Sequence, residues 1–386
     1  MKIFHTADWH LGKLVKEVYM TEDQRYVLDQ FVSAAREEKP DVIIIAGDLY
    51  DRSVPPHDAV ALFHDILTEL VVKLKIPVLA IAGNHDSPER IHFAHSIMEK
   101  QGLHMRGKIT TEMQPIVLDD EHGPVHFHLV PFADPGQVRH LFDEAEGPIR
   151  THDDAMRAII GRLKQTMDPT ARHVFVGHAF VTPTGGQGEH ICDSERPLSI
   201  GGADTVSAEY FADFHYTALG HLHQAHYVRN ETIQYAGSPL KYSISEENHR
   251  KGFHIVHLDQ TGQIEVERRM LQPRRDLRTV TATIDELKEH PRSDDYVFVS
   301  LLDEQVVLFP MEQIRAVYPN AMHVSRAVTH LPSASTTSSV ERKNMDPFTL
   351  FQSFAEEMIG KEPPAEMEEL FKEILQEVWK EEEERA

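Results

Sequence analysis

Two five-residue runs, Val42-Ile43-Ile44-Ile45-Ala46 and Val78-Leu79-Ala80-Ile81-Ala82, carry no polar side chain on either face. Successive residues of a strand point to opposite faces, so a wholly apolar run belongs in a sheet covered on both sides. Helical patterns surround these runs. They span 21–38, opening with Thr21 as N-cap and ending before Pro40, then about 57–73, then about 88–101. With Lys2-Ile3-Phe4-His5-Thr6 as a further strand, the first hundred residues predict an α/β sheet whose polar residues gather at the carboxyl ends of its strands.

From about 115 to 270 the pattern is strand-rich, with candidates at 125–130, 172–177, 214–219, 224–228, 232–236, 252–258 and 263–270 and one helix near 153–166. The stretch 182–208, with Gly185-Gly186 and Gly201-Gly202, has no periodicity and reads as a long functional or disordered loop. Pro273-Arg274-Arg275 reads as a hinge into a small strand–helix–strand–helix–strand unit at about 275–328. The expected division is a main domain at 1–272, a small domain at 273–328, a flexible Ser- and Thr-rich linker at 329–345 and a helical tail at 346–386. In the tail Met367, Leu370, Phe371, Ile374, Leu375 and Val378 form one apolar stripe, and Phe348, Phe351, Phe354 and Met358 a second. Two short helices beyond a linker bury little surface by themselves, so the stripes are expected to dock on a partner.

The charge balance is −23, and the tail, with 13 Asp plus Glu against 4 Lys plus Arg, carries nine of those units. Such acidity argues against wrapping nucleic acid through dense basic contacts. The single cysteine, Cys192, excludes an internal disulfide and cysteine-based zinc sites. No apolar run approaches the roughly 18 residues that cross a bilayer, and the first residues lack the order of a secretory leader. A cytoplasmic location and no membrane association are expected.

Five polar clusters follow apolar strands: Asp8-x-His10, Gly47-Asp48-x-x-Asp51, Gly83-Asn84-His85-Asp86, Gly177-His178 and Gly220-His221-x-His223. Singly, each is more often an ordinary surface or core histidine than a ligand; together, in this order, they point to a metal site. Alternate residues of an extended segment point the same way, so Asp8 with His10, and His221 with His223, can hold ions from one side. The glycines allow sharp turns and close approach. Carboxylate, imidazole and amide oxygen without thiolate suit Mn²⁺, Fe or Zn²⁺. Seven candidates are too many for one tetrahedral ion and adequate for two that share a carboxylate. Two ions about 3.5–4 Å apart can stabilise in-line attack of water on phosphorus.

These residues resemble the calcineurin-like metallophosphoesterases, and more narrowly the SbcD-type nuclease subunits of bacterial SbcC–SbcD complexes. The narrower likeness rests on Phe4-His5-Thr6-Ala7-Asp8-Trp9-His10-Leu11-Gly12, Gly47-Asp48-Leu49-Tyr50-Asp51, Asp193-Ser194-Glu195-Arg196-Pro197-Leu198-Ser199, Ala218-Leu219-Gly220-His221-Leu222-His223 and Tyr235-Ala236-Gly237-Ser238-Pro239-Leu240. It covers residues 1–270, is architectural for 275–328, and in the tail rests on position and amphipathicity. The resemblance implies a four-layer αββα sandwich with a small α+β capping domain and a C-terminal helical tail. It implies that Asp8, His10 and His223 bind one divalent ion, that Asn84, His178 and His221 bind a second, and that Asp48 bridges them, with Mn²⁺ as the expected metal. His85 would contact the scissile phosphate or protonate the leaving oxygen, a role suited to an imidazole near neutral pH. Asp86 would orient His85. Archaeal and eukaryotic counterparts carry histidine where this chain has Asp51, so its expected role shifts from phosphate handling to orienting a neighbouring ligand.

The implied activity is a DNA exonuclease on double-strand ends and endonuclease on hairpins, in repair, recombination and replication. The implied partners are an SbcC-type ATPase docked on the tail and a second copy of the chain, making a homodimer within a heterotetramer. No Gly-x-x-x-x-Gly-Lys-Ser/Thr motif occurs, so ATP hydrolysis falls to the partner. Lys13, Lys16, Arg52, Arg90 and Arg196 lie near the motifs and could touch phosphates, and weak DNA binding by the isolated chain is expected. The competing readings are a phosphomonoesterase or cyclic-nucleotide phosphodiesterase on the same site, and a non-catalytic scaffold.

Overall fold

A computed structural model describes residues 1–142, 148–183, 195, 205–303, 305–326, 346–359, 363–365 and 367–375. The proposed linker 329–345, most of the 182–208 loop, Cys192, Arg196 and Val378 lie outside them.

The apolar runs become strands Val42–Ile45 and Val78–Ile81, buried on both faces. They lie parallel beside Lys2–Thr6 in a six-stranded sheet ordered Ile264–Met270, Gly252–Leu258, Lys2–Thr6, Val42–Ile45, Val78–Ile81 and Leu103–Arg106. A second six-stranded sheet is ordered His226–Val228, Asn230–Tyr235, Tyr216–Gly220, Arg172–His178, Gly123–Val130 and Ile116–Asp120. Ile44, Leu79, Phe127, Val174, Val176 and Ala218 form part of the apolar layer between the sheets. Helices Thr21–Glu38 and His57–Leu67 cover the outer face of the first sheet. Helix His152–Thr166 covers the second, opened by a reciprocal cap between Thr151 and Asp154. The four layers are thus α, β, β and α.

Several local expectations change. Met20, not Thr21, precedes the first helix, because the Thr21 hydroxyl donates to Asp58 Oδ2 at 2.7 Å instead of capping. The 57–73 helix ends at Leu67 and continues as a π-helical turn, Thr68–Lys73. The 88–101 helix breaks into Pro88–His92, His95–Met98 and the 3₁₀ turn Glu99–Gln101, because Ala94 adopts a left-handed φ of 55°.

A third sheet orders Leu277–Ala282, Tyr296–Leu301 and Ala321–Arg326 in parallel, backed by helices Ile284–Glu289 and Pro310–Val317. It rests on the first helix through Asp23, a buried carboxylate that accepts from Tyr296 Oη (2.7 Å) and Arg275 Nη1 (3.0 Å). Lys241 Nζ also donates to Asp276 Oδ1 at 2.8 Å. In the tail, helix Pro347–Ile359 packs against helical residues 367–375 by stacking Phe351 on Phe371, ring centroids 4.0 Å apart. Leu350, Phe354, Met367, Leu370 and Ile374 stay exposed. Among the described residues no helix is long and apolar enough to cross a membrane.

Candidate metal centre

The five clusters meet where the two sheets' parallel strands end. Asp8, His10 and Asp48 each place a ligand atom within 4.8 Å of the others, and so do His10, Asp51 and His85. His10 Nε2 lies 3.0 Å from His223 Nε2 and 3.5 Å from Asp48 Oδ2. His178 Nε2 lies 2.9 Å from Asn84 Oδ1 and 3.5 Å from Asp48 Oδ2. The rings of His178 and His221 are 5.4 Å apart, edge to face. All seven candidate ligands therefore belong to one constellation, with Asp48 reaching toward both halves.

The alignment does not come from strand alternation. The first strand ends at Thr6, and Asp8 and His10 beyond it have φ values of 54° and 45°. Asp48 stands at 50° and His221 at 105°. Left-handed backbone at a residue other than glycine costs on the order of 1–2 kcal/mol and persists where the surroundings over-determine it. Here the surroundings are hydrogen bonds between clusters. The backbone N–H of His221 donates to Asp8 Oδ1 and that of His85 to Asp48 Oδ1, both at 2.9 Å. Two glycines allow the approach: a Cβ on Gly83 would lie 2.1 Å from Asp48 Oδ1, and one on Gly47 2.3 Å from His178 Nδ1.

The donor set fits divalent cations. His178 Nδ1–H donates to the Ala46 carbonyl at 3.0 Å, which turns Nε2 toward Asn84 Oδ1 and Asp48 Oδ2, where it carries a proton in the imidazolium and offers a lone pair once that proton leaves. Converging acceptors repel unless a proton or a metal ion stands among them. Asp8 Oδ2 and His10 Nδ1 are likewise buried without a hydrogen-bond partner among the described residues. The titration pattern agrees. Burial, reinforced by Asp48, pushes the Asp8 carboxyl up to about 7 despite His178 and His223. Burial alone would lower His178, but Asp48 and Asp8 outweigh it and raise the imidazole to about 9. Burial drives His10 and His221 well below the ordinary imidazole value. Asp48 is held well below the usual carboxylate range because His178, His10 and His85 overcome its burial.

The candidate catalytic residues surround this core. The His85 ring stands edge-on to His10, centroids 4.7 Å apart. Its Nδ1–H donates to the main-chain carbonyl of Asp51 at 2.8 Å, leaving Nε2 available. Asp86 does not hold His85. Its carboxylate accepts from the backbone N–H groups of Leu49, Tyr50 and Gly83 at 2.9–3.0 Å, tying the second and third clusters together. The Asp51 side chain lies 2.8 Å from Lys13 Nζ and 3.8 Å from the otherwise unpartnered His10 Nδ1. Of the other nearby cations, Lys16 is exposed and Arg52 reaches Asp51 only at 4.0 Å.

Residues not singled out in the sequence hold the ligands. Glu246, fully buried, accepts from His223 Nδ1 at 3.2 Å and pairs with the buried Lys251, whose Nζ also donates to the His223 carbonyl at 2.8 Å. Gln24 Nε2 donates to the His10 carbonyl at 2.8 Å.

Residues 1–225 match the family described as calcineurin-like phosphoesterase, and residues 268–358 match the type 5 capsule protein repressor C-terminal domain. The chain is 32% identical over 362 residues to a protein of Staphylococcus epidermidis named as the SbcD subunit of the SbcCD nuclease, covering 93% of both chains. The protein of the same name from Staphylococcus saprophyticus is 33% identical over 364 residues, covering 93% of this chain and 94% of its own. The chain belongs to the SbcD branch of the calcineurin-like phosphoesterases. As a calcineurin-like phosphoesterase it is a metal-dependent phosphodiesterase, and the αββα layers are the sandwich expected for that family.

Proposed function

We propose that this phosphodiesterase is a two-metal DNA nuclease, cutting at double-strand ends and at hairpins together with an SbcC-type ATPase. The observation that carries the reading is the convergence of seven candidate ligands, Asp48 among them, with acceptors facing one another and an imidazole, His85, beside them. Asp8, His10 and His223 would hold one ion, Asn84, His178 and His221 the other, and Asp48 both; Mn²⁺ matches the hard-to-borderline donors. Bound there, two divalent cations would activate water and offset charge on phosphate oxygens.

The chain's own residues supply the rest. His85, fixed through Nδ1 by the Asp51 carbonyl, presents Nε2 to the phosphate or the leaving oxygen. Asp86 locks the loops carrying Asp48 and His85 into one unit through three backbone hydrogen bonds. Lys13 keeps a cation at the mouth of the site. The unit at 273–328 serves as a cap over bound DNA. The exposed apolar side chains of the tail hairpin dock on the ATPase, and a homodimer within a heterotetramer places two centres on one duplex. At −23 overall, the chain binds DNA weakly until the partner and the metals supply positive charge. These assignments give it a place in DNA repair, recombination and replication in the cytoplasm.

The test is a Mn²⁺ titration of cleavage on a hairpin duplex, with and without the partner ATPase and ATP. Metal-dependent cutting that ATP and the partner stimulate is expected. Hydrolysis of p-nitrophenyl phosphate with no cleavage of duplex or hairpin DNA would transfer the site to a phosphomonoesterase.

A further inference from the structure

The first turn of helix Thr21–Glu38 faces two ways. Asp23 and Gln24 are adjacent, and neighbours on an α-helix point about 100° apart, so one meets the small sheet and the other the ligand loop. Gln24 is fully buried, and its amide is occupied by residues 9–12. Nε2 donates to the Trp9 carbonyl at 3.0 Å and the His10 carbonyl at 2.8 Å, and Oε1 accepts from the Gly12 N–H at 3.0 Å. The Tyr242 hydroxyl donates to the Trp9 carbonyl as well. These bonds clamp a segment in which His10 has a left-handed φ of 45°, a backbone that persists where its surroundings over-determine it. Asp23 is buried too, but its partners, Tyr296 and Arg275, belong to the small unit. That unit also touches the chain between loop and helix, where Val15 and Met20 share a buried cluster with Leu277 and Tyr296. Backbone bonds run on from there: the Met20 N–H donates to the Lys13 carbonyl at 3.0 Å and the Gln24 N–H to the Met20 carbonyl at 2.8 Å. Ligand loop, hairpin and first helical turn are one bonded piece with the small unit seated on it.

We propose that Gln24 is a positioning residue for His10, and that through the Asp23–Gln24 turn the seating of the small unit sets how tightly the centre holds its metal. The inference rests on the reading of His10 as a ligand. His10 Nε2 faces His223 and Asp48 from a main chain that Gln24 grips directly, so a displaced Gln24 displaces the ligand. Misplacement by about 1 Å is enough to weaken such a site. On the other side, a buried carboxylate that loses its partners must reach solvent or a new donor. Release of Asp23 by Tyr296 and Arg275 therefore shifts the turn, and Gln24 moves with it. Neither Arg275 nor Tyr296 is a candidate ligand, so their effect on the metal travels through this turn. The coupling is reciprocal: a bound metal favours the seated small unit by the same factor.

The experiment measures Mn²⁺ binding to the full chain by calorimetry for the parent, R275Q/Y296F, Q24M and the three substitutions combined, with thermal melts in EDTA to follow folding. R275Q/Y296F should bind Mn²⁺ about fivefold or more weakly than the parent, and Q24M about tenfold or more weakly. The combined variant should bind no more weakly than Q24M, because both changes cut one link. Y318F removes the bond from Tyr318 Oη to His290 inside the small unit and should leave Mn²⁺ affinity unchanged. Mn²⁺ should also slow amide hydrogen exchange at 275–277 and 296–298 in the parent and not in Q24M. Y242F, which takes only a hydroxyl from the Trp9 carbonyl, supplies the ligand-side change if Q24M does not fold, and it too should weaken Mn²⁺ binding. Unchanged affinity in R275Q/Y296F, an equal loss in Y318F, or additive losses in the combined variant would each overturn the link. A parent chain that binds no Mn²⁺ would instead remove the metal reading beneath it.

Discussion

Replacing Glu246 separates two effects that one carboxylate combines. Its Oε1 accepts from His223 Nδ1 and from the Tyr242 backbone N–H, both at 3.2 Å, while Oε2 meets Lys251 Nζ. Glu246 is fully buried and Lys251 is 6% exposed. E246A leaves the ammonium buried beside the neutral His223 carbonyl and Ser238 hydroxyl, each at 2.8 Å, with its carboxylate partner gone. Breaking a buried pair from one side costs about 3–5 kcal/mol, because the remaining charge is stranded in a medium that solvates it poorly. Removing the carboxylate behind a metal-binding imidazole lowers metal affinity about 10–100-fold. The double variant E246Q/K251M divides these costs. It removes both charges, so most of the stability should return, since replacing a whole buried pair is often close to neutral. The amide does not restore the pull on His223, so metal affinity should stay low. Urea unfolding in EDTA reads the first effect, and Mn²⁺ titration by calorimetry reads the second. If stability and metal affinity recover together in the double variant, Glu246 is a structural counter-ion and the positioning role is wrong.

Four further outcomes follow from the geometry. G83A forces a methyl against Asp48 Oδ1, so Mn²⁺ binding should fall at least about tenfold; unchanged binding would show that the 83–86 turn can retreat without disturbing Asp48. Saturating the centre with Mn²⁺ at about a hundred times its Kd should raise the unfolding free energy by about 2.7 kcal/mol, and EDTA should reverse it. Asp120, gripped by Arg172 and the N-terminal ammonium, is held well below the usual carboxylate range, Arg172 contributing most. Its stabilisation is therefore full above the unfolded carboxylate pKa near 4 and lost as pH falls through the depressed folded value. D120N should cost about 3 kcal/mol at neutral pH and flatten the acid limb of the stability profile; an unchanged acid limb would exclude Asp120 from it. Finally, L370E places charge on a side chain that is already 57% exposed, so it should leave the isolated chain's melt intact while abolishing capture by the partner ATPase. Retained capture would move the dock elsewhere.

The fold was legible wherever burial imposes one pattern on consecutive residues. Val42–Ile45 and Val78–Ile81 are buried on both faces and could be read directly as covered parallel strands. Leu103–Arg106 and Ile116–Asp120 escaped notice because they are short terminal strands of their sheets, half-buried and partly polar. The candidate ligands were legible for a different reason. Parallel strands end on one side, so a polar cluster after each apolar run converges without any knowledge of the intervening loops.

What stayed hidden is the backbone that aims those ligands and the side chains that brace them. Alternation along a strand was the wrong account for Asp8 and His10, because the strand has already ended and left-handed turns take over. Those turns are held by bonds such as His221 N–H to Asp8, between residues 213 positions apart, and no local periodicity carries that information. Glu246 and Lys251 lie within five positions of each other and, as a sequence, resemble a solvated surface pair of the kind common in loops. Only the packing of Tyr242, Ser238 and His223 around them makes that pair a buried support for a ligand. Asp86 shows the same inversion: beside His85 in sequence, it serves the backbone of Leu49 and Tyr50, more than thirty residues away. Sequence neighbours thus identified which groups could meet a metal, while the long-range hydrogen bonds decide which of them hold the others still.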